Sequence, residues 1–148
     1  MITVKYPIAV ICTFLWTGFI CAISFMEAWL KFQAPGITVP LGLGIGKLVF
    51  ATLNKIEWIL AAGIAANLLL EKRPVFAWPV LLYVFTVLLL IIQTAWLLPA
   101  LDVRAVNVIQ GKAVKESGLH FYYIVLEGLK VVFLMLFGTL LFKRTGRT

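Results

Sequence analysis

Four side chains near the end of the chain have types and spacing that could do chemistry together. His120, Tyr123, Glu127 and Lys130 follow one another at offsets of three, four and three. That spacing puts them on one face of an α-helix. An imidazole, a phenol, a carboxylate and an amine in one row can hold a polar ligand, pass a proton or pair with each other. The stretch that carries them, Leu119 to Phe142, is otherwise mostly Leu, Val, Phe, Ile and Met. A run of that length is sufficient to cross a bilayer. An ionisable group at mid-bilayer costs about 2.5–3.5 kcal/mol on insertion scales, so such groups turn toward protein or water. Other helices should therefore gather round this row.

Three further apolar runs can supply them. The spans fall at about 7–30, 47–70, 75–98 and 119–142. The first is too long for a signal-peptide core and lacks a small-residue cleavage site, so it should remain in the protein. Of the 148 residues, 63% are hydrophobic and 13% charged, against about 45–50% and about 25% in soluble domains. These totals predict a single domain over 1–148, all-α, an integral membrane four-helix bundle whose first partner is the lipid bilayer. The net charge of +7 comes from Lys and Arg scattered at helix ends. It fits membrane-flanking segments and, with no basic run interleaved with aromatics, speaks against nucleic acid. Cys12 and Cys21 are nine residues apart, which is about 13 Å along a helix. They cannot form a disulfide, which needs Cα atoms within about 7 Å.

Each span brings its own polar residues. Thr13, Thr17, Ser24, Glu27 and Lys31 fall along one side of the first. Its hydroxyls can bond back to their own helix, and Glu27 can pair with Lys31 at i,i+4. In the second, Asn54 and Glu57 lie one turn apart. Ala61, Ala62, Gly63, Ala65 and Ala66 then allow a neighbouring helix to come close. The third is the most apolar, with Thr86, Gln93 and Thr94 as its polar points. Trp78, Tyr83 and Trp96 are expected as interface aromatics.

The connections are unequal. Between Gln33 and Gly46, Pro35, Gly36 and Pro40 are expected to stop the helix. Gly42, Gly44 and Gly46 lack the spacing of a dinucleotide fingerprint. The segment is too apolar for a free loop, so it should lie on the interface or dip in as a covered re-entrant turn. Glu71-Lys72-Arg73-Pro74 is a short polar turn. Ala100 to Gly118 is the one polar stretch, yet Val103, Val106, Ile109 and Val114 give it an apolar side. It should be a helical extension or interfacial helix that breaks near Gly111 or Gly118.

Four spans place both termini on one side with Lys5, Lys72, Arg73, Lys143, Arg144 and Arg147. Lys31, Lys47, Arg104, Lys112 and Lys115 fall on the other. The compact flanks of the first group predict a multi-pass protein of the inner (plasma) membrane with cytoplasmic termini. In that topology Glu27, Asn54, Glu57, Gln93 and His120 lie near the outer ends of their spans, with Glu127 and Lys130 deeper. The candidate ligand-binding set is then Glu27, Asn54, Glu57, Gln93, His120, Tyr123, Glu127 and Lys130. It occupies the outer half of the bundle, capped by the Gly-rich segment and the polar stretch before the fourth span.

Three kinds of chemistry fit such a cluster. It can be an internal ion-pair network that fixes helix register, with Glu127–Lys130 as the obvious pair. It can be a site for a small molecule, a lipid headgroup or a cation, or it can be catalytic. A metal held by Glu27, Glu57, Glu127 and His120 is disfavoured, because bundle di-metal sites use a Glu-x-x-His pair on two helices and this chain has one histidine. Haem would have a single histidine ligand, and no nucleophile stands at a readable spacing from His120. No cofactor is assigned and no catalytic residue is named. Proton-linked transport draws on the same groups, but a four-helix unit would need to oligomerise for it.

Three short stretches carry a family likeness. They are the Pro-containing first loop followed by Lys47-Leu48-Val49-Phe50, then Trp96-Leu97-Leu98-Pro99 followed by Arg104-Ala105, and His120 with a polar residue seven positions on at Glu127. The chain resembles a group of four-span membrane proteins that includes vertebrate transmembrane protein 205 and bacterial relatives. Glu127 departs from that group's Asn, and Lys130 adds a charge its pattern does not contain. The resemblance implies a four-helix membrane fold and no established activity. The resulting expectation is a non-enzymatic protein that binds or passes a small polar or amphiphilic ligand. The alternative is an accessory or structural subunit of a larger membrane complex; a membrane enzyme comes third, and a homo-oligomer is compatible with each.

Overall fold

Proline is found in the first turn of long helices in this chain, because that turn has N–H groups with no partner in any case. Pro7 opens α1 (Pro7–Gln33), and Pro40 lies in the first turn of α2 (Val39–Leu70). They are followed by α3 (Trp78–Ile109) and α4 (Leu119–Leu140). The computed structural model describes residues 2–71 and 78–144. The turn residues Lys72, Arg73 and Pro74, the expected start of the third span at Val75, and Arg147 lie outside the described residues. All four helices are long and apolar enough to cross a membrane.

The first loop corrects one expectation. Pro35 and Gly36 do interrupt the chain, but Pro40 starts a helix instead of stopping one. Thr38 caps it, its hydroxyl accepting the Leu41 N–H at 3.4 Å. Gly42, Gly44 and Gly46 are therefore helical, and no re-entrant turn forms. The glycines serve close approach: a Cβ at Gly42 would overlap the Phe32 ring, and one at Gly46 would come within 2.9 Å of Lys31 Nζ. The end of α1 thus seats against the start of α2. The polar stretch after Pro99 also continues as helix to Ile109, as an extension of α3, and the chain turns at Gly111 (φ 71°).

The helices run up, down, up and down, each packed against its chain neighbours, with α4 closing back on α1. α2 and α3 have 32 residues each, about 48 Å at 1.5 Å per residue, against a hydrocarbon core of about 30 Å. Both overshoot at the end away from the termini. At the other end β1 (Ile2–Val4) pairs antiparallel with β2 (Phe142–Arg144), Thr3 opposite Lys143, and clips the two ends of the chain together.

Burial follows a three–four spacing on every helix. Ala9, Thr13, Trp16, Ile20 and Ser24 are buried on α1, and Tyr123, Glu127, Lys130, Leu134 and Phe137 on α4. The terminal half of the bundle is apolar, built from residues such as Ile64, Leu68, Leu82, Leu134 and Phe137. Asn67 completes it by accepting the Ala9 N–H at 2.9 Å, which satisfies one of the free donors at the start of α1. Tyr83 turns inward, against the interface role expected of it, and donates to the Ala61 carbonyl at 2.8 Å. Trp78 and Trp96 stay exposed.

Candidate functional site

Above the apolar half, one polar network joins all four helices. Glu57 of α2 lies at its centre. Its Oε1 accepts from Trp16 Nε1 of α1 at 2.8 Å and from the Lys130 ammonium of α4 across the bundle diagonal. Lys130 also reaches Glu127 Oε1 at 3.2 Å, the i,i+3 pair anticipated from spacing. Gln93 of α3 donates through Nε2 to Glu127 Oε1 at 3.1 Å and to the Tyr123 carbonyl at 3.4 Å. Glu57, Gln93, Glu127 and Lys130 have no solvent exposure, and Trp16 has none either.

The network holds more acceptors than donors. Two carboxylates share one ammonium, and Glu57 Oε2, Glu127 Oε2 and Gln93 Oε1 are buried without a hydrogen-bond partner. The Tyr123 hydroxyl faces the Glu127 carboxylate, within its hydrogen-bonding reach. Leaving a buried polar group unpaired costs about 1–3 kcal/mol, more when it is charged.

Two widened turns flank this level. The chain is π-helical over Cys21–Glu27 in α1 and over Gln93–Leu97 in α3. Such bulges occur often at functional sites, because they re-aim side chains and loosen the backbone ladder. Gln93 lies in one of them. The other holds Ser24, which is buried with its hydroxyl unpartnered.

Beyond the network, toward the end away from the termini, the overshooting parts of α2 and α3 enclose a cavity of about 400 Å³ with the end of α1 and the start of α4. Phe32, Phe50, Leu98, Leu101 and Val108 give it apolar walls. Lys31, Lys47, Asp102, Arg104 and His120 bring charge or polarity to it, and Tyr123 joins it to the network below. The Tyr123 ring is held edge-on by Phe50, with centroids 5.3 Å apart. The Gly-rich start of α2 and the polar stretch before α4 both contribute, through Gly42, Gly46, Asp102, Arg104 and Ser117.

The eight candidate residues therefore fall into four places. Glu57, Gln93, Tyr123, Glu127 and Lys130 meet in the network. Asn54 stands apart between α2 and α3; its Nδ2 donates to Thr94 Oγ1 at 2.8 Å, an oxygen that also accepts from Trp58 Nε1 at 3.1 Å. Glu27 and His120 do not join the network either. Glu27 is bound one turn on to Lys31 at 3.2 Å. His120 lies at the first turn of α4, exposed at the cavity and one turn short of Tyr123. Trp16, Glu57 and Lys130 meet near the middle of their helices, with the cavity on the side away from the termini.

Spacing along the chain brings neither Trp16 to the network nor Lys31 and Arg104 to the cavity wall. Trp16 follows Glu57 by no local spacing, since the two are far apart in sequence and meet only through packing. Lys31 was assigned to its pair with Glu27, which hid its place in the cavity wall. No known family model, curated protein or solved structure matches this chain. The likeness to the transmembrane protein 205 group thus rests on its short motifs alone.

Proposed function

We propose that this multi-pass membrane protein binds a small polar or amphiphilic molecule in the cavity between the overshooting ends of its helices. Tyr123 carries the reading. It forms part of the cavity wall, and its hydroxyl faces the Glu127 carboxylate of the buried network. A volume of about 400 Å³ lies within the roughly 300–1,000 Å³ range of small-molecule sites, which are mostly apolar with a few convergent polar groups. Ligand held there would be sensed through Tyr123 by all four helices. In this reading the termini are cytoplasmic, the cavity faces outward from the plasma membrane, and the chain is kin to the transmembrane protein 205 group.

Filling the cavity tests the reading. Ala105→Trp places an indole into it from α3, away from the network. The wild-type protein in neutral detergent should gain thermal stability from a subset of small polar and amphiphilic compounds. Ala105→Trp should fold, show similar helicity, and lose that gain. An equal gain in the variant would refute the proposal. Stable co-purifying partner proteins, with no compound response in the wild type, would instead support an accessory subunit.

A further inference from the structure

Charge around the cavity is unevenly distributed. Its lining carries Lys31, Lys47 and Arg104 against one carboxylate, Asp102, with Glu27 beside Lys31 and Glu116 in the depression that adjoins Arg104. Lys31 is bound to Glu27, and Lys47 reaches Asp102 only at 4.0 Å, with both side chains about a third exposed. Arg104 has no carboxylate partner among the described residues. One of its N–H groups donates to the Lys115 carbonyl at 2.7 Å, which fixes the guanidinium and leaves its other donors free. A shallow depression lined by Arg104, Glu116, Ser117 and Gly118 adjoins the cavity, so Arg104 marks its open side. Past Tyr123 the sign reverses: the network sets two carboxylates against one ammonium. Between basic rim and acidic floor the walls are apolar.

From this polarity we infer that the cavity, read as a ligand site as above, takes a single-chain anionic amphiphile. Its carboxylate or phosphate head sits at Arg104 and Lys47, and its apolar chain lies along Phe32, Phe50 and Leu101. A guanidinium with free donors suits an oxyanion, which it can grip with two parallel hydrogen bonds. The carboxylates of the floor repel such a head and hold it at the rim. A cationic amphiphile meets the opposite field and is rejected there. The volume suits one chain and is too small for a two-chain phospholipid.

The experiment uses the whole protein in nanodiscs of neutral lipid. Binding is measured for dodecanoate, dodecyl phosphate, dodecanol, dodecyltrimethylammonium and inorganic phosphate. Dodecanoate and dodecyl phosphate should bind saturably, at least about tenfold tighter than the alcohol or the quaternary ammonium, as expected for one charge-assisted contact. Inorganic phosphate should bind far more weakly than either anionic amphiphile. Arg104→Gln should lower affinity for both anionic amphiphiles by about tenfold. Asp102→Asn should raise it, an outcome that misfolding cannot produce. Equal binding of dodecanol, preference for the quaternary ammonium, or tight binding of inorganic phosphate alone would overturn the inference while leaving a ligand site in place. If none of the probes binds, the inference falls, and the site reading is decided separately by the Ala105→Trp comparison.

Discussion

Lys130 lies between two carboxylates with no access to solvent. Taking such charges out of water is costly, and the arrangement holds only because each partner is also hydrogen-bonded by another helix. Trp16 is one of those partners, and its single N–H goes to Glu57 at 2.8 Å. Trp16→Phe keeps most of the ring volume and removes that donor. Unfolding in detergent, followed by circular dichroism, should show a loss of about 1.5–3 kcal/mol, the usual worth of a hydrogen bond to a charged group. Unchanged stability would mean that Lys130 alone satisfies Glu57. At this scale the sequence was partly readable. Offsets along α4 gave Tyr123, Glu127 and Lys130 as one row, because helical periodicity is local. They also suggested His120, which the structure leaves at the cavity because α4 begins at Leu119 and its first turn stands clear of the bundle interior. Trp16 read as one more apolar residue, since nothing local marks which indole will meet a carboxylate.

The helices themselves were legible to within a turn or two, with exceptions that have physical causes. Hydropathy located all four, but it cannot separate helix in lipid from helix that continues past it. The second helix accordingly starts at Val39, and the third runs on to Ile109 through the helical extension expected after Pro99. Pro40 is ambiguous in the same way, since proline both ends helices and begins them. The π-helical turns left no sequence signal, because they arise where packing makes one extra residue fit. Close approach is the clearest demand that packing makes on an element. At Gly138 a Cβ would come 3.0 Å from Phe14 Cζ and 3.1 Å from Thr13 Cγ2. Gly138→Leu should therefore push α4 off α1, destabilise the bundle by about 1–3 kcal/mol and lower its melting temperature. A melting temperature at or above the wild-type value would contradict the contact.

Over the whole molecule, an apolar half clipped by β1 and β2 supports a polar half that opens into a cavity. The apolar half supplies packing. The network supplies register: a bundle whose lipid-facing and core residues are equally apolar has little else to fix which face of each helix turns inward. Composition and span count disclosed the bundle, but the convergence of Trp16, Glu57, Gln93 and Lys130 is a long-range property that no local pattern encodes. That convergence is the claim on which the account of the bundle rests, and the proposed ligand site lies beside it. A double-mutant cycle on Glu57→Gln and Lys130→Gln, read by reversible unfolding in mixed micelles, tests it most directly. Each single change should be destabilising, since Glu57→Gln leaves Lys130 with Glu127 alone and Lys130→Gln leaves two buried carboxylates without their cation, and the double variant should be more stable than the sum of the singles by about 1–3 kcal/mol. Strict additivity of the two would show that the side chains do not meet, and would contradict the account.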